Sequence, residues 1–326
     1  MNKATYSTLR DRVRSEGLFK KNNYFSAAVV FIELSIMLAL VSWLLSTEPM
    51  SISYFLAIVF IGVSAFRCFA LLHECGHRAM FTSQRANTLV GYLMSPFCLI
   101  PYACWRDLHL QHHRWVGVID KDPTQAGLIK LKEASFIKRQ AFRWVWWLCI
   151  PIPSIQLIFS VFWLHPFRLM ASGSKEAPEA LLALIVCVLP HALLILFIGP
   201  WTYMVFILPA MLFYFFWFET VNFTHHSGLF PYTSDNHPNP IPLYEQDQVS
   251  RTSAFSKWIS ITLAYNFNFH TEHHYFPTVP WHNLPRVYEL VQETNDLSDY
   301  HDVPFLGFSA KLRTSDPVSL YIDSLN

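Results

Sequence analysis

Four apolar segments of this chain are each long enough to cross a bilayer as a helix. A membrane-spanning helix needs about 20 predominantly apolar residues, and the segments 26–45, 51–72, 180–198 and 201–218 meet that requirement. Backbone polar groups inside lipid must be satisfied within their own segment, so these stretches predict α-helices. Short turns join the segments in pairs. We therefore predict an all-α integral membrane bundle of two hairpins, forming a single domain over residues 1–326.

The composition agrees with a membrane protein and argues against other classes. The chain is 52% hydrophobic and 14% charged, whereas a typical soluble domain has about 25% charged residues. The net charge of +1 provides no basic surface for nucleic acid, so no nucleic-acid partner is expected. The six cysteines include no CxxC pair, and neither a disulfide framework nor a thiolate metal site is indicated.

The distribution of Lys and Arg predicts the orientation of the four helices. The turns around 46–50 and 199–200 contain neither residue type, whereas the first 25 residues hold six and the segment 78–175 holds twelve. Because cytoplasmic loops are enriched in Lys and Arg, we predict a multi-pass protein with cytoplasmic termini and a cytoplasmic helical cap of residues 73–175 and 219–326. The short chain and the lack of a terminal retrieval signal favour a bacterial inner membrane.

Ten of the fifteen histidines fall into four clusters. The clusters are HECGH at 73–77, HLQHH at 109–113, THH at 224–226 and HTEHH at 270–274. Because positions i, i+3 and i+4 share one helix face, each HxxHH cluster is predicted to converge on one point. Imidazole suits iron, copper, zinc and nickel, and eight or nine imidazoles exceed what one ion accepts. The pattern indicates two metal ions and favours iron, with copper and zinc left open.

Two further apolar stretches, 89–105 and 142–164, are each interrupted by two prolines. If only one of them crossed the membrane, the histidine clusters would lie on opposite sides and could not share a site. If both crossed, the 109–113 cluster would be left outside. We therefore predict that both are interfacial or re-entrant helices, with Trp144, Trp146 and Trp147 at the level of the lipid headgroups.

The motifs HECGH, HLQHH and HTEHHYFPTVPWHNLP resemble the three histidine boxes of the membrane fatty acid desaturase and hydroxylase superfamily. The likeness runs from about residue 72 to residue 285. It implies a di-iron centre at the cytoplasmic ends of four transmembrane helices, with an acyl chain in an internal tunnel. The implied metal ligands are His73, His77, His109, His112, His113, His270, His273 and His274.

The resemblance also implies a ninth ligand after the last span, where the sequence VNFTHH offers His225 and His226. We prefer His226, with His225 as the alternative, because Asn222 and His226 reproduce an NxxxH spacing found in parts of the superfamily. Asn222 is then a candidate to hold a metal-bound water. Metal-bound histidines are usually oriented by carboxylates or carbonyls, and the nearby candidates are Glu74, Asp107, Asp122 and Glu272.

The activity implied by the resemblance is an O2-dependent desaturation that introduces a double bond into the acyl chain of a lipid. The sequence contains no HPGG haem motif and no glycine-rich dinucleotide fingerprint, so electrons are expected from a separate ferredoxin, rubredoxin or cytochrome b5 with its reductase. A hydroxylase or ketolase acting on a lipid or carotenoid is the nearest alternative. A different class is a membrane zinc metalloprotease, because HECGH matches HExxH with Glu74 as general base.

Several isolated polar residues lie in or near the predicted spans. Glu33 has no evident partner in the sequence and is expected either to pair within the bundle or to line a cavity. Arg67 is expected to extend its side chain to the cytoplasmic interface. His191, which follows Pro190, is expected to hydrogen-bond a carbonyl that the proline leaves free.

Overall fold

The computed structural model describes residues 1–294 and 296–322. Within these residues the fold is helical apart from two short strands, which confirms the predicted class. The α-helices, numbered along the chain, are α1 (Lys3–Ser15), α2 (Asn23–Leu45), α3 (Ile52–Gly76), α4 (Gln84–Cys98), α5 (Tyr102–Trp115), α6 (Gly127–Lys132), α7 (Phe136–Trp147), α8 (Ile152–Leu157), α9 (His165–Ala171), α10 (Ala177–Ile198), α11 (Pro200–Thr202), α12 (Leu208–His226), α13 (Lys257–Ala264), α14 (His270–Tyr275), α15 (Leu284–Gln292), α16 (Phe305–Thr314) and α17 (Pro317–Ile322).

Shorter elements connect these helices. Segments of π-helix at Ile158–Trp163 and Tyr203–Ile207 follow α8 and α11, and 3₁₀ turns occupy Leu243–Gln248 and Trp281–Asn283. The strands β1 (Arg251–Ala254) and β2 (His301–Pro304) pair in parallel, with Arg251 opposite His301.

Four helices in the described residues are long and apolar enough to cross a membrane. They are α2, α3, α10 and the continuous helix from Pro200 to His226 that includes α11 and α12. Side chains cap the first two at their amino ends, because Asn22 accepts a hydrogen bond from the Phe25 amide and Ser51 accepts one from the Tyr54 amide. The ends of α3 and α12 extend past the apolar windows, and the first and third histidine clusters therefore lie at or directly after helix ends.

Helix α3 is the centre of the bundle and packs against α2, α4 and α12. Gly62 allows the close approach of α3 to α12. A Cβ atom at this position would lie 2.6 Å from the Phe213 side chain and 2.9 Å from the Tyr214 amide nitrogen. The absence of a side chain at Gly62 therefore brings the backbones of α3 and α12, which carry two of the histidine clusters, close together.

The two proline-interrupted stretches form bent helix pairs. The axes of α4 and α5 differ by 99°, and α7 differs by 116° from the helix that runs from Ile152 to Ala171. At the first bend His191 forms a 2.8 Å hydrogen bond to the Pro96 carbonyl and a second 2.8 Å hydrogen bond to the Tyr203 hydroxyl. The prediction for His191 was therefore wrong in its partner. The accepting carbonyl belongs to the last turn of α4 and also accepts a 3.4 Å hydrogen bond from the Leu99 amide.

The three tryptophans of α7 do not share one environment. Trp144 is 61% exposed and Trp147 is 44% exposed, whereas Trp146 is fully buried. The Trp146 indole donates a hydrogen bond to the Leu312 carbonyl, and the Arg313 guanidinium lies 4.4 Å from its ring. Successive helical residues point about 100° apart, so Trp146 faces the protein whereas Trp144 and Trp147 face outward. That the three residues lie at headgroup level stays a prediction.

A buried ion pair joins the first hairpin to the cap. The Glu33 carboxylate, fully buried in α2, lies 2.7 Å from the Arg67 guanidinium and accepts hydrogen bonds from Ser64 at 2.5 Å and from the Tyr265 hydroxyl at 2.7 Å. Of the two expectations for Glu33, pairing within the bundle is the one observed. The expectation that Arg67 extends to the interface was wrong, because its guanidinium turns towards the buried carboxylate.

We predict that Glu33→Ala lowers the free energy of unfolding by about 3–5 kcal/mol, because it leaves the Arg67 charge without its buried partner. Reversible unfolding in mixed micelles measures the change. The double variant Glu33→Leu, Arg67→Leu should recover much of the loss, since it removes both charges together. Glu48→Ala, at an exposed position in the first turn, is the control and should change stability by less than about 0.5 kcal/mol. Equal losses for Glu33→Ala and Glu48→Ala would contradict the assignment.

Candidate metal centre

Nine buried histidines from four helix ends form two groups. Within each group one ring nitrogen per residue lies within 4.8 Å of all the others. The first group consists of His73, His77, His109, His113 and His273. The second group consists of His112, His226, His270 and His274. We call them the five-histidine group and the four-histidine group.

Each HxxHH cluster is divided between the two groups. His109 and His113 of α5 belong to the five-histidine group, whereas His112 belongs to the four-histidine group. In α14 the division is reversed, with His273 alone in the five-histidine group. The prediction that each cluster converges on one point was therefore wrong. Adjacent helical residues point about 100° apart, so neighbouring histidines at the end of a cluster face different positions.

The distances between ring nitrogens suit coordination of a common ion. In the four-histidine group His270 Nε2 lies 2.8 Å from His226 Nε2 and 3.1 Å from His274 Nε2. In the five-histidine group His113 Nε2 lies 3.0 Å from His109 Nε2 and 3.1 Å from His273 Nε2. Two nitrogens bound to one ion at about 2.1 Å are separated by about 3.0–3.4 Å in octahedral or tetrahedral geometry.

The protonation state of the imidazoles also suits metal binding. Burial, reinforced by neighbouring histidines, lowers the pKa of His77 to about 3 and holds the pKa values of His273 and His274 well below the ordinary range. These rings are therefore neutral at physiological pH, which is the form that donates a lone pair to a metal. Within the described residues, neither ring nitrogen of His73 nor Nε2 of His77 has a hydrogen-bond partner. Buried polar atoms without partners are costly, and a bound ion would satisfy one nitrogen of each ring.

Three imidazoles of the four-histidine group have a hydrogen-bond acceptor at Nδ1, and this acceptor sets the orientation of the ring. Asp122 lies 2.7 Å from His112 Nδ1, and the Val249 carbonyl lies 2.9 Å from His226 Nδ1. Burial alone would raise the pKa of Asp122, but the adjacent His112 and hydrogen bonds from Thr124 lower it below its ordinary value. Because a carboxylate and a carbonyl only accept, each Nδ1 carries the proton and each Nε2 keeps its lone pair for a metal.

Gln246 provides the third of these acceptors, because its Oε1 lies 2.9 Å from His274 Nδ1. Asp122 was predicted from the sequence as a candidate of this kind, whereas Gln246 and the Val249 carbonyl were not. Gln246 lies in the 3₁₀ turn Leu243–Gln248 and Val249 directly follows it, outside the histidine clusters. No residue spacing signals their role, since the contacts arise only when this segment packs against α14.

The two glutamates inside the histidine clusters contact the surrounding cap. The Glu74 carboxylate accepts a 2.8 Å hydrogen bond from the Trp281 amide, and its Oε1 lies 3.8 Å from His73 Nδ1. Glu272 accepts hydrogen bonds from Thr252 and Tyr300, and burial raises its pKa to about 7 against the lowering effect of these bonds. Glu74 therefore anchors the 281–283 turn, a contact that does not favour the role of a protease general base.

Two other candidates have partners outside the histidine groups. Asp107 accepts a 2.9 Å hydrogen bond from Arg106, and Asn222 donates a 2.8 Å hydrogen bond to the Phe218 carbonyl of its own helix. No contact between Asp107 and a clustered histidine is observed in the described residues. That Asn222 holds a metal-bound water stays a prediction.

His225 is fully buried but belongs to neither group. Its ring stacks on His270 at 4.0 Å with an interplanar angle of 11°. Stacking of this kind places the two rings face to face, so that their nitrogens do not point at a common ion. The geometry therefore supports His226 over His225 as the ninth ligand.

Aromatic side chains enclose the five-histidine group. The Trp105 ring stacks on His109 at 4.3 Å, and the Phe267 ring lies 4.9 Å from His73. Phe69 and Phe218 pack edge to face at 4.8 Å, and Phe69 also lies 5.6 Å from Phe267. This packing keeps bulk water from the imidazoles and joins them to the apolar interior of the bundle.

Comparison with known proteins identifies a family. A family model described as fatty acid desaturase matches residues 49–306. The chain is 28% identical over 244 residues to an sn-1 oleoyl-lipid 12-desaturase of Picosynechococcus sp., a match that covers 69% of this chain and 65% of the relative. It is 26% identical over 300 residues to the sn-1 oleoyl-lipid 12-desaturase of Anabaena variabilis, covering 88% and 81%.

A plant protein is also similar. The temperature-sensitive sn-2 acyl-lipid omega-3 desaturase (ferredoxin) of Arabidopsis thaliana is 24% identical over 296 residues, which cover 80% of this chain and 59% of the relative. The family match includes all four histidine clusters. The alignments cover 65%, 81% and 59% of the length of these three relatives.

We predict that Asp122→Ala weakens metal binding about 10- to 100-fold, the usual cost of removing the residue that orients a ligating histidine. Competition with a chelator, followed by metal analysis of the purified protein, measures the change. Asp107→Ala is the matched control, because that carboxylate pairs with Arg106. Equal metal loss in both variants would contradict the role of Asp122.

Proposed function

Because the chain belongs to the fatty acid desaturase family, we propose that it is an O2-dependent acyl-lipid desaturase that introduces a double bond into a fatty acyl chain. The observation that supports this most directly is the convergence of nine buried histidines, carried by α3, α5, α12 and α14, into two groups. Two of the relatives are named as desaturases of lipid-bound acyl chains, which supports a lipid as the substrate class.

We propose that the five-histidine and four-histidine groups each hold one iron. An all-imidazole donor set suits iron and leaves positions open for an exogenous ligand. Two irons at these positions supply the reduction of dioxygen and the removal of hydrogen from an unactivated carbon, chemistry that no amino-acid side chain performs. The nine proposed ligands are His73, His77, His109, His112, His113, His226, His270, His273 and His274.

The side chains of this protein position the reactants. Asp122, Gln246 and the Val249 carbonyl orient three imidazoles by hydrogen bonds to Nδ1. The aromatic residues around His73 exclude water and present an apolar surface to the methylene groups of an acyl chain. An acyl chain has no polar group near the reacting carbons, so its placement depends on the shape of this apolar surface.

The reaction requires a separate electron donor. Forming a double bond while dioxygen is reduced to two waters consumes two electrons and two protons in addition to the hydrogens taken from the substrate. The described residues contain no nucleotide-binding sheet, so we propose a ferredoxin, a rubredoxin or a cytochrome b5 with its reductase as donor. We further propose that the metal centre and both termini lie on the cytoplasmic face of a bacterial inner membrane, as the Lys and Arg distribution favours.

We predict that cells expressing the wild-type chain gain an unsaturated fatty acid that His112→Ala and His273→Ala cells lack. Each variant removes one proposed ligand, one from each group, and product should fall below detection while the protein still inserts. Gas chromatography with mass spectrometry of total lipids detects the product and locates the double bond. His237→Ala, which changes a histidine stacked on Tyr232 outside both groups, is the control.

The same experiment separates the alternatives. A hydroxy fatty acid or an oxidised carotenoid in place of an unsaturated fatty acid would identify a hydroxylase or a ketolase. Metal analysis of the purified protein should give about two irons per chain, from the ligand demand of each ion. Full product formation by either histidine variant would contradict the proposed ligands.

A further inference from the structure

Gln246 is a fully buried amide that contacts both histidine groups. Its Oε1 lies 2.9 Å from His274 Nδ1 in the four-histidine group. Its Nε2 donates to the His113 carbonyl at 3.0 Å and to the Ile241 carbonyl at 3.1 Å. A side-chain amide has two N–H donors and one carbonyl acceptor. All three groups of Gln246 are therefore used, and its orientation is determined by its partners.

The two ends of this amide act on different elements. The Oε1 contact sets the rotation of the His274 ring, whose Nε2 lies 3.1 Å from His270 Nε2. The Nε2 contact is made to a carbonyl in the last turn of α5, where helix geometry leaves carbonyls without partners. That turn carries His112 of the four-histidine group and His113 of the five-histidine group.

The two histidine groups differ in how firmly their imidazoles are oriented. Three of the four imidazoles in the four-histidine group have an Nδ1 partner. In the five-histidine group, among the described residues, the Nδ1 atoms of His73, His113 and His273 have none. Orienting a ligand before the metal arrives lowers the cost of binding it. The four-histidine group is therefore the better preorganised of the two.

We propose that Gln246 is a positioning residue that holds His274 in its ligating orientation, ties α14 to the end of α5, and makes the four-histidine group the tighter metal position. This inference rests on the proposed function, because it assumes that both groups bind a metal. It concerns the retention of metal rather than the chemistry of the substrate, and it is tested without turnover.

The test is metal release from the full-length protein in detergent. The protein is loaded with ferrous iron under anaerobic conditions, and a chelator of ferrous iron is then added. The absorbance of the iron–chelator complex measures the release. The wild-type chain should release iron in two phases. Asp122 orients His112 of the four-histidine group, so acceleration of the slower phase in Asp122→Ala would assign that phase to this group. Gln246→Met, of similar volume but without the amide, should accelerate the slower phase about 10- to 100-fold and change the faster phase little.

Two further variants isolate the contact to His274. Gln246→Glu keeps an oxygen that accepts from His274 but cannot donate to the two carbonyls, so its slower phase should fall between wild type and Gln246→Met. Gln248→Met lies two residues away in the same 3₁₀ turn, at a partly exposed position, and should match the wild type in both phases.

Three results would overturn the inference. Release from both Gln246 variants at the wild-type rate would show that the amide does not position a ligand. Equal acceleration of both phases by Gln246→Met, with a lower melting temperature of the metal-free protein, would show a structural role only. A wild-type chain that binds fewer than two irons would contradict the proposed function and this inference together, whereas the first two results leave the proposed function intact.

Discussion

Burial of ten imidazoles in one region is the constraint on which this structure depends. A neutral imidazole has a donor and an acceptor nitrogen, and both need partners when water is removed. For three of these rings the donor nitrogen, Nδ1, has a partner: Asp122, the Val249 carbonyl or Gln246 accepts its hydrogen bond. Within each group, Nε2 atoms of neighbouring histidines lie about 3 Å apart. One metal ion in each group would satisfy these atoms.

The division of each HxxHH cluster between two groups follows from helix geometry. A single helix cannot point adjacent residues at the same ion, so His112 and His113 serve different positions. Four helix ends must then meet with their apolar faces inside the bundle, and the close contact of α3 with α12 at Gly62 allows this. The Glu33 ion pair with Arg67 and the Tyr265 hydroxyl tie the cap to the same bundle.

Much of the fold was accessible from residue patterns. Apolar length predicted four membrane-length helices, and the histidine clusters predicted a metal site but not which histidines share an ion. Both signals are local and repeat with the helix period. The division of each HxxHH cluster was missed because adjacent helical residues point about 100° apart, and the other missed features have a different origin. The burial of Trp146, the pairing of Arg67 with Glu33 and the contact of Gln246 with His274 each join residues far apart in the chain. Local periodicity carries no information about such partners.

The sequence by itself determined that this chain is a helical membrane protein with imidazoles at the ends of its helices, since hydrophobic length and histidine spacing are properties of short segments. Only the tertiary structure decided that the histidines separate into groups of five and four, that His226 rather than His225 joins them, and that Gln246 links α5 to α14. These outcomes depend on how helix ends rotate and pack against one another, which is settled by contacts across the whole bundle.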